Sequence, residues 1–231
     1  MMQSYPVIAT EKFDKANIWI KYVMLFVKSF TKGDVLEIGA GCGSFTRNYL
    51  NESIQSLTLQ EYSKINFEKL TKKFEDFKNV KIINDNPLEK NNNFDTIIYF
   101  NVLEHIKEDK LEIENALNKL NNGGHLLILV PAHQRLYSKL DKAVGHYRRN
   151  NINFFKENKF ENSKIIKLHF LDFFGYTLYF LNKIFFKEET YPTNFKIFVW
   201  DKIFTPVTII IDFFTGYKFG KNILCIYRKI T

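Results

Sequence analysis

The 231-residue sequence has only two cysteines, Cys42 and Cys225, and it has no long uncharged apolar run. Two isolated cysteines form neither a disulfide framework nor a cysteine-based metal site, so a reducing cytoplasm is the expected compartment. A membrane-spanning helix needs about twenty consecutive apolar residues, and none is predicted. Charged residues already occur at Glu11 and Lys12, which is unlike a secretory signal peptide.

Charge and aromatic residues are unevenly distributed along the chain. The net charge is +8, and residues 151–231 carry 12 Lys and Arg against 7 Asp and Glu, together with 15 of the 24 phenylalanines. A basic, aromatic-rich surface suits nucleic acid, a membrane or an anionic substrate. The same composition also fits a solvated lysine face over an aromatic core, so it leaves the partner open.

Strand and helix patterns alternate regularly up to residue 131. This alternation predicts a parallel sheet with right-handed crossovers. The predicted strands are 35–38, 56–60, 80–84, 95–100 and 125–130, and the predicted helices are 11–30, 44–51, 64–76 and 108–120, the last ended by Asn121–Gly124.

The alternation stops after residue 131. We predict one domain over 1–231 with an N-terminal helical segment (1–32), a polar lid (131–150) and an aromatic-rich helical insertion (172–215). The remaining predicted elements are a helix at 151–159, a strand at 163–171, helices at 172–187 and 194–214, and a last strand at 222–229.

A glycine-rich loop follows the first strand. Glu37 lies in the strand, and Gly39, Gly41 and Gly43 follow at every second position. Glycine tolerates positive φ and has no Cβ, so this loop can turn tightly and let a ligand approach its backbone. The dinucleotide fingerprint would place its third glycine one residue later, where Ser44 stands. The loop therefore predicts a nucleotide-type site without naming the nucleotide.

Polar residues end the next three predicted strands. Glu61 follows the second strand and can accept hydrogen bonds from a ribose diol, while Asp85 follows the third and can accept from an adenine amino group. The fourth strand ends in Asn101–Ile106. Ligands of parallel sheets bind beyond the carboxyl ends of the strands, so this order predicts one nucleoside-binding edge.

Together these motifs resemble the class I S-adenosylmethionine-dependent methyltransferases over about residues 30–231. The resemblance implies an α/β, Rossmann-like three-layer sandwich with helical cap elements. Its seven-stranded sheet is mostly parallel, with an antiparallel last strand that residues 222–229 suit. The implied cofactor is S-adenosyl-L-methionine. The Leu-Glu-His segment within Asn101–Ile106 is similar to that of the small-molecule branch, including ubiquinone-pathway O-methyltransferases.

The resemblance also implies a set of cofactor-binding residues. The residues that would hold the methionine part are Glu37, Gly39, Ala40, Gly41 and Gly43. Glu61 and Tyr62 would hold the ribose, and Asp85 and Asn86 the adenine. Asn101, Val102 and His105 would form the wall of the pocket.

A narrower resemblance lies in the lid. Val130–Ala132, Leu136-Tyr137, Asp141 and Gly145–Arg149 are similar to a bacterial methyltransferase subgroup often associated with glycosyl- or lipid-linked metabolism. This resemblance implies a small-molecule acceptor, and it leaves open whether that acceptor is anionic or lipid-linked. The expected acceptor-binding residues are His133, Tyr137, His146, Tyr147, Arg148 and Arg149.

Histidines are the candidate catalytic groups. His146 can act as a general base near neutral pH, and His105 can be a base, a metal ligand or a wall of the cofactor pocket. Arg148 and Arg149 either bind a carboxylate or phosphate or pair with Asp141 or a helix C-terminus. Five scattered histidines predict no metal site. A hydroxyl acceptor needs a base whereas an amine must only arrive neutral, and O-methylation is slightly favoured.

Two other functions remain open. The positive charge suits a nucleic-acid methyltransferase, but the fourth strand does not end in the Pro-Pro motif of base amino-methylation, and neither cysteine follows a proline. Alternatively, the chain is a docking module with a methyltransferase fold. Its stretches 170–186 and 194–214 would then form a peripheral contact with the inner membrane face or with a partner. The alternative is that these stretches form a helical cap buried over the sheet and acceptor pocket, or a homodimer face.

Overall fold

The computed structural model describes residues 14–89, 92–185 and 191–231, with no side-chain description for 182–185. The predicted helix start at 11–13 and the predicted helix end at 186–187 lie outside these residues. Among the described residues, no helix has the length and apolarity needed to span a bilayer.

Seven strands form a single sheet in the order β3-β2-β1-β4-β5-β7-β6. Strands β1 to β5 pair in parallel, and β7 lies between β5 and β6 and runs antiparallel to both. The predicted fold class is therefore confirmed. The strands are β1 Gly33–Ile38, β2 Ile54–Gln60, β3 Val80–Ile83, β4 Phe94–Phe100, β5 Leu120–Pro131, β6 Ser163–Leu171 and β7 Asn222–Lys229.

Nine α-helices cover the sheet and its edge in the described part of the chain. A 3-10 turn at Leu103–His105 follows β4, and a π-helical turn at Trp200–Phe204 joins α8 to α9. The helices are α1 Asn17–Val27, α2 Thr46–Tyr49, α3 Lys64–Phe74, α4 Asp109–Asn118, α5 Lys139–Ala143, α6 Ile152–Glu157, α7 Phe173–Phe185, α8 Asn194–Val199 and α9 Thr205–Phe214.

Both faces of the sheet are buried, as in other parallel sheets. The alternating residues Ile97 and Ile98 of β4 pack on opposite faces. One core lies under α1, where Val23 is fully buried, and the other lies under α4, where Ile113 is. Continuous apolar strands are thus the signal that located β4 and β5 in the sequence.

The prediction that Asn121–Gly124 ends the helix 108–120 is wrong. Helix α4 ends at Asn118, and β5 already begins at Leu120, which pairs with Phe94. A Cβ on Gly124 would lie 2.9 Å from the Asp95 carbonyl oxygen. The glycine is therefore needed where the strands approach each other beside a register shift, not to end a helix. The helix after the glycine loop also ends early, at Tyr49.

Candidate active site

The glycine loop joins β1 to α2 and requires glycine at two positions. Gly39, Gly41 and Gly43 all have positive φ, of 65°, 58° and 72°. A Cβ on Gly39 would lie 2.7 Å from Val102 Cγ2, and one on Gly43 would lie 2.6 Å from a ring carbon of Phe74. The loop therefore packs closely against the end of β4 and against α3.

Replacing Gly39 with alanine should strongly destabilise the protein. Left-handed φ costs roughly 1–2 kcal/mol for an alanine, and the clash with Val102 adds to it. Gly216→Ala is the matched control, because Gly216 also has positive φ (62°) but its nearest neighbour would lie 4.0 Å away. Urea unfolding should show the larger loss for Gly39→Ala; equal losses would contradict the close packing of the loop.

Glu37 lies under the loop with its carboxylate buried. Its Oε2 accepts hydrogen bonds from Thr46 Oγ1 at 2.6 Å and from the Tyr49 hydroxyl at 2.5 Å. Burial raises the pKa of Glu37 to about 7, although these two bonds oppose the shift. Glu37 thus ties β1 to α2, the two elements that the loop connects, and its direct contact with the cofactor stays a prediction.

Glu61 and Gln60 support the same loop from β2. Glu61 Oε2 accepts from the Gly41 N–H at 2.8 Å and its Oε1 from the Ser63 N–H at 2.7 Å, and Gln60 Oε1 accepts from the Gly39 N–H at 3.1 Å. A carboxylate has about four acceptor positions, so Glu61 can still receive ribose hydroxyls. Gln60 Nε2 is buried without a hydrogen-bond partner among the described residues. These groups fit a nucleoside-containing cofactor.

The other predicted cofactor residues lie at the same edge of the sheet. Tyr62 and Asp85 are exposed, and the Asn86 side chain bonds within its own turn, to Glu89. Asn101 has φ +56°, which is uncommon outside glycine and is typical of functional loops. Their contacts with the cofactor stay predictions.

The lid and the segment after β4 bring a cluster of ionisable side chains together. His146 Nδ1 lies 2.7 Å from Asp141 Oδ1, and His146 Nε2 lies 3.8 Å from Glu104 Oε1. The rings of His105 and His146 meet edge to face, with centroids 4.6 Å apart. Arg149 Nε donates to both Asp141 oxygens at 3.0 Å. A capping box on Ser138 positions Asp141 at the start of α5.

Burial and charge shift the pKa values of this cluster apart. Burial raises the pKa of Glu104 to about 7, and it lowers the pKa of His105 to about 3. Burial also opposes the ionisation of Asp141, but the hydrogen bond from His146 and the charge of Arg149 hold its pKa well below the usual range. Near neutral pH, therefore, Asp141 is ionised and His105 is neutral.

Three of these side chains could also hold a cation. Donor atoms of Glu104, His105 and His146 lie within 4.8 Å of one another. Both Glu104 carboxylate oxygens are buried without a hydrogen-bond partner among the described residues. That the protein uses no metal stays a prediction, and a chelator tests it below.

Replacing Glu104 with glutamine should change how stability depends on pH. The folded-state pKa of Glu104 is raised from an ordinary 4.5 to about 7, so the folded protein keeps this proton longer than the unfolded chain does. Stability from this group is full below pH 4.5 and is lost as the pH rises through 7. From pH 4.5 to 8 the native protein should lose about 3 kcal/mol more than Glu104→Gln.

Denaturant unfolding at several pH values measures this difference. The titration of His105 acts in the opposite direction, below pH 6.5, but it is common to both proteins and largely cancels in the comparison. Parallel pH curves for the two proteins would contradict the burial of an ionisable Glu104.

The predicted acceptor residues separate into two groups. Tyr137 and Tyr147 adjoin the cluster, since the Tyr137 hydroxyl donates to the His146 carbonyl at 2.6 Å and the Tyr147 N–H donates to the Glu104 carbonyl. His133 turns toward the β6 edge instead. Its ring stacks on Phe170 and its Nε2 bonds to the Gly220 carbonyl at 3.0 Å.

Arg148 and Arg149 of the lid already have partners. Arg148 lies 2.6 Å from Asp109 Oδ2 and donates to the carbonyls of Ile106 and Lys107. Arg149 is buried against Asp141, with its guanidinium 4.5 Å from the centroid of the Tyr179 ring. The sequence left open whether an arginine binds the acceptor or pairs with Asp141. The structure shows Arg149 paired with Asp141.

Sequence reasoning assigned no role to Glu104 or Gln60, and it treated Asp141 only as a possible arginine partner. Glu104 directly precedes His105 in the Leu-Glu-His segment, and Asp141 lies five residues before His146. Each was visible as part of a motif. What the sequence could not show is that the two segments meet, because they lie about forty residues apart and touch only through the fold.

The sheet order, the glycine loop and the carboxylate at the end of β2 define a class I methyltransferase fold. A family model described as "Methyltransferase domain" matches residues 13–163, and the chain belongs to this family. The predicted resemblance to S-adenosylmethionine-dependent methyltransferases is therefore confirmed at the level of the family.

One curated relative is a hybrid PKS-NRPS synthetase, iccA, from Talaromyces variabilis, with 32% identity over 111 residues. That match covers 43% of this chain but only 3% of the synthetase. The relative thus supports the domain and not the activity of the whole synthetase.

Solved structures show the same fold at low identity. The N-methyltransferase NodS from Bradyrhizobium japonicum WM9, in complex with S-adenosylhomocysteine, has a TM-score of 0.57 and 14% identity, covering 90% of this chain and 84% of NodS. Coclaurine N-methyltransferase, bound to N-methylheliamine and S-adenosylhomocysteine, has a TM-score of 0.58 and 14% identity, covering 93% and 72%. At such identity the likeness is one of fold.

Proposed function

We propose that this protein transfers a methyl group from S-adenosyl-L-methionine to a small-molecule acceptor, with oxygen favoured over nitrogen. The observation that carries the proposal is the His146–Asp141 pair, held by the lid against the segment that follows β4. Val102 of that segment also packs on Gly39, and His105 of the same segment contacts the His146 ring, so this segment connects the pair to the proposed cofactor loop.

The proposed cofactor site is the loop Gly39–Gly43 with Glu61 and Gln60. When bound, the sulfonium cofactor supplies an activated methyl group, so the protein mainly aligns the reactants and excludes water. Glu61 would accept hydrogen bonds from the ribose, and the buried Gln60 Nε2 is a donor ready for a polar group. Glu37 fixes β1 against α2, so the two ends of the loop are held together.

His146 is the proposed general base for a hydroxyl acceptor. Because Asp141 accepts at Nδ1, the favoured neutral tautomer leaves Nε2 to take the proton. The resulting imidazolium would lie beside the ionised Asp141, whose negative charge stabilises it, with Glu104 Oε1 3.8 Å from its Nε2. His105, with a pKa of about 3, is poorly suited to be a base and serves better as a wall of the cofactor pocket.

N-methylation is the second candidate, because NodS and coclaurine N-methyltransferase share this fold. A neutral amine needs no base, so His146 would then orient the acceptor. An anionic acceptor has less support, since Arg148 and Arg149 are already paired. The Nη1 atom of Arg149 is a buried donor that has no hydrogen-bond partner among the described residues. It could donate to a polar group of the methyl acceptor. The narrower resemblance of the lid still supports a sugar- or lipid-linked acceptor.

A screen of candidate acceptors tests the proposal through the release of S-adenosylhomocysteine. Hydroxylated small molecules should support turnover, and amines should support less of it. Because no metal is predicted, a chelator should leave the turnover unchanged. Turnover only with nucleic acid, with binding that weakens steeply as salt rises, would contradict the proposal.

A further inference from the structure

The helical segment 194–214 exposes apolar side chains that soluble proteins normally bury. We call these side chains the apolar face; its largest members are Phe195, Phe198, Ile203, Ile210, Phe213 and Phe214. Phe195 is 73% exposed and Phe214 is 80% exposed. Spacings of three, four and seven residues keep them on one side, and the step of five from Phe198 to Ile203 crosses the π-helical turn.

The polar side of the same segment points into the protein. Asp201 and Asp212 are buried, as are Thr205 and Thr208. Asp201 Oδ1 accepts from the N–H groups of Ile18 and Trp19 at 2.9 Å, at the start of α1. The inner side also buries Ile197 and packs Trp200 against the core, and the buried hydrogen bonds fix the orientation of the segment.

A second pair of contacts holds α9 in the same orientation. Asp212 Oδ2 accepts from the Tyr22 hydroxyl at 2.9 Å and from the Asp172 N–H at 2.8 Å. Turning the apolar face inward would leave this buried carboxylate without its donors. The outward face is therefore a built feature of the fold.

The apolar face continues onto α1 through an open groove of about 530 Å³. Leu25, which is 73% exposed, lines one side of the groove, and Ile210, Phe213 and Phe214 line the other. A phenylalanine side chain has roughly 200 Å² of surface, so Phe195, Phe213 and Phe214 alone expose about 400 Å². With the other members the area exceeds what most monomers leave open.

The charges around this face have a single sign. In residues 14–30 and 191–221, every charged side chain that is exposed is a lysine, while the acids Asp14, Asp201 and Asp212 are partly or fully buried. Lys21 and Lys28 flank Leu25 on the outer side of α1. The exposed lysines are Lys15, Lys21, Lys28, Lys196, Lys202 and Lys218.

We propose that the apolar face and its lysines dock the protein onto the surface of an anionic lipid bilayer. Apolar side chains enter the interface while lysines meet anionic headgroups, the pattern of helices that lie in a membrane surface. A symmetric dimer through this face would bring the same lysines of two copies together, so like charges oppose it. Docking does not depend on methyl transfer, although it would suit a lipid-linked acceptor.

Co-sedimentation of the full chain with vesicles tests the docking. The protein should bind vesicles that contain phosphatidylglycerol and bind pure phosphatidylcholine vesicles much less. Phe213→Ser with Phe214→Ser should weaken partitioning about tenfold or more, because two exposed rings no longer enter the bilayer. Ile65→Ser with Leu111→Ser is the matched control, since both residues are more than half exposed, on α3 and α4.

A charge series separates the role of the lysines from that of the apolar face. Lys21→Glu with Lys28→Glu should weaken binding to the anionic vesicles. Lys72→Glu with Lys110→Glu makes the same change in net charge, on exposed residues of α3 and α4, and should weaken binding much less. Equal losses in the two charge pairs would contradict a docking surface.

Two further results would overturn the proposal. One is absence of binding to anionic vesicles. The other is a concentration-dependent dimer in analytical ultracentrifugation that Phe213→Ser with Phe214→Ser abolishes. Affinity for S-adenosylhomocysteine should stay the same in every variant, so a protein that binds this ligand but no vesicles loses only the docking proposal.

Discussion

His146→Ala should lower turnover of a hydroxyl acceptor by about 10²- to 10⁴-fold, the usual range for loss of a general base. The affinity for S-adenosylhomocysteine should change little, because His146 contacts the lid and the segment after β4 and has no described bond to the glycine loop. Asp141 keeps its pair with Arg149 in this variant, so the lid should remain folded. Single-turnover kinetics and calorimetry measure the two effects separately.

Lys142→Ala is the control for His146→Ala, because Lys142 is exposed on α5 in the same lid. It should leave both turnover and affinity unchanged. If His146→Ala keeps its turnover with the best hydroxyl acceptor, the proton leaves by another route and the base assignment is wrong. If the best acceptor is an amine and turnover survives, N-methylation becomes the better proposal.

Glu61→Ala should weaken S-adenosylhomocysteine binding by on the order of 100-fold. The substitution removes the proposed ribose acceptor and also frees the Gly41 N–H, so about two charge-assisted hydrogen bonds are lost. Glu61→Gln keeps an acceptor oxygen and should have an intermediate affinity. Isothermal titration calorimetry measures both variants.

Glu52→Ala is the matched control, because Glu52 is an exposed carboxylate before the start of β2, at the opposite end of the strand. Its affinity should match that of the native protein. Thermal unfolding should show that Glu61→Ala is still folded. An unchanged affinity in folded Glu61→Ala would show that the ribose acceptor is elsewhere.

The parallel half of the fold was predictable because its signals are local. Strands buried on both faces are continuous apolar runs, as in β4, and Gly39, Gly41 and Gly43 mark a turn whose positive φ values the structure bears out. Strands β6 and β7 were also found at their observed bounds. Their position in the sheet followed from the resemblance to a family and not from the pattern of residues.

The cluster at the candidate active site was only partly predictable because its contacts span distant parts of the chain. The sequence indicated His146 and His105, but the approach of His146 to the buried Glu104 depends on how residues 131–150 pack against the segment after β4. His133 follows β5 directly, and only the structure shows its ring turned away, stacked on Phe170.

Helix 194–214 shows a second limit of sequence patterns. Helical periodicity identifies an apolar side and a polar side, and such an apolar side normally faces the core. Here the aspartates cap and anchor α1, so the apolar side faces outward. Of the alternatives that the sequence left open, a buried cap does not describe the outer side of this segment, because its large apolar side chains are exposed. Periodicity alone could not have decided this.

Titration of S-adenosylhomocysteine into the native protein, with NAD as the competing ligand, tests the central claim most directly. We predict saturable one-to-one binding of S-adenosylhomocysteine that Glu61→Ala weakens on the order of 100-fold, and no measurable binding of NAD. Binding of NAD without binding of S-adenosylhomocysteine would contradict the assignment of the glycine loop and the function built on it.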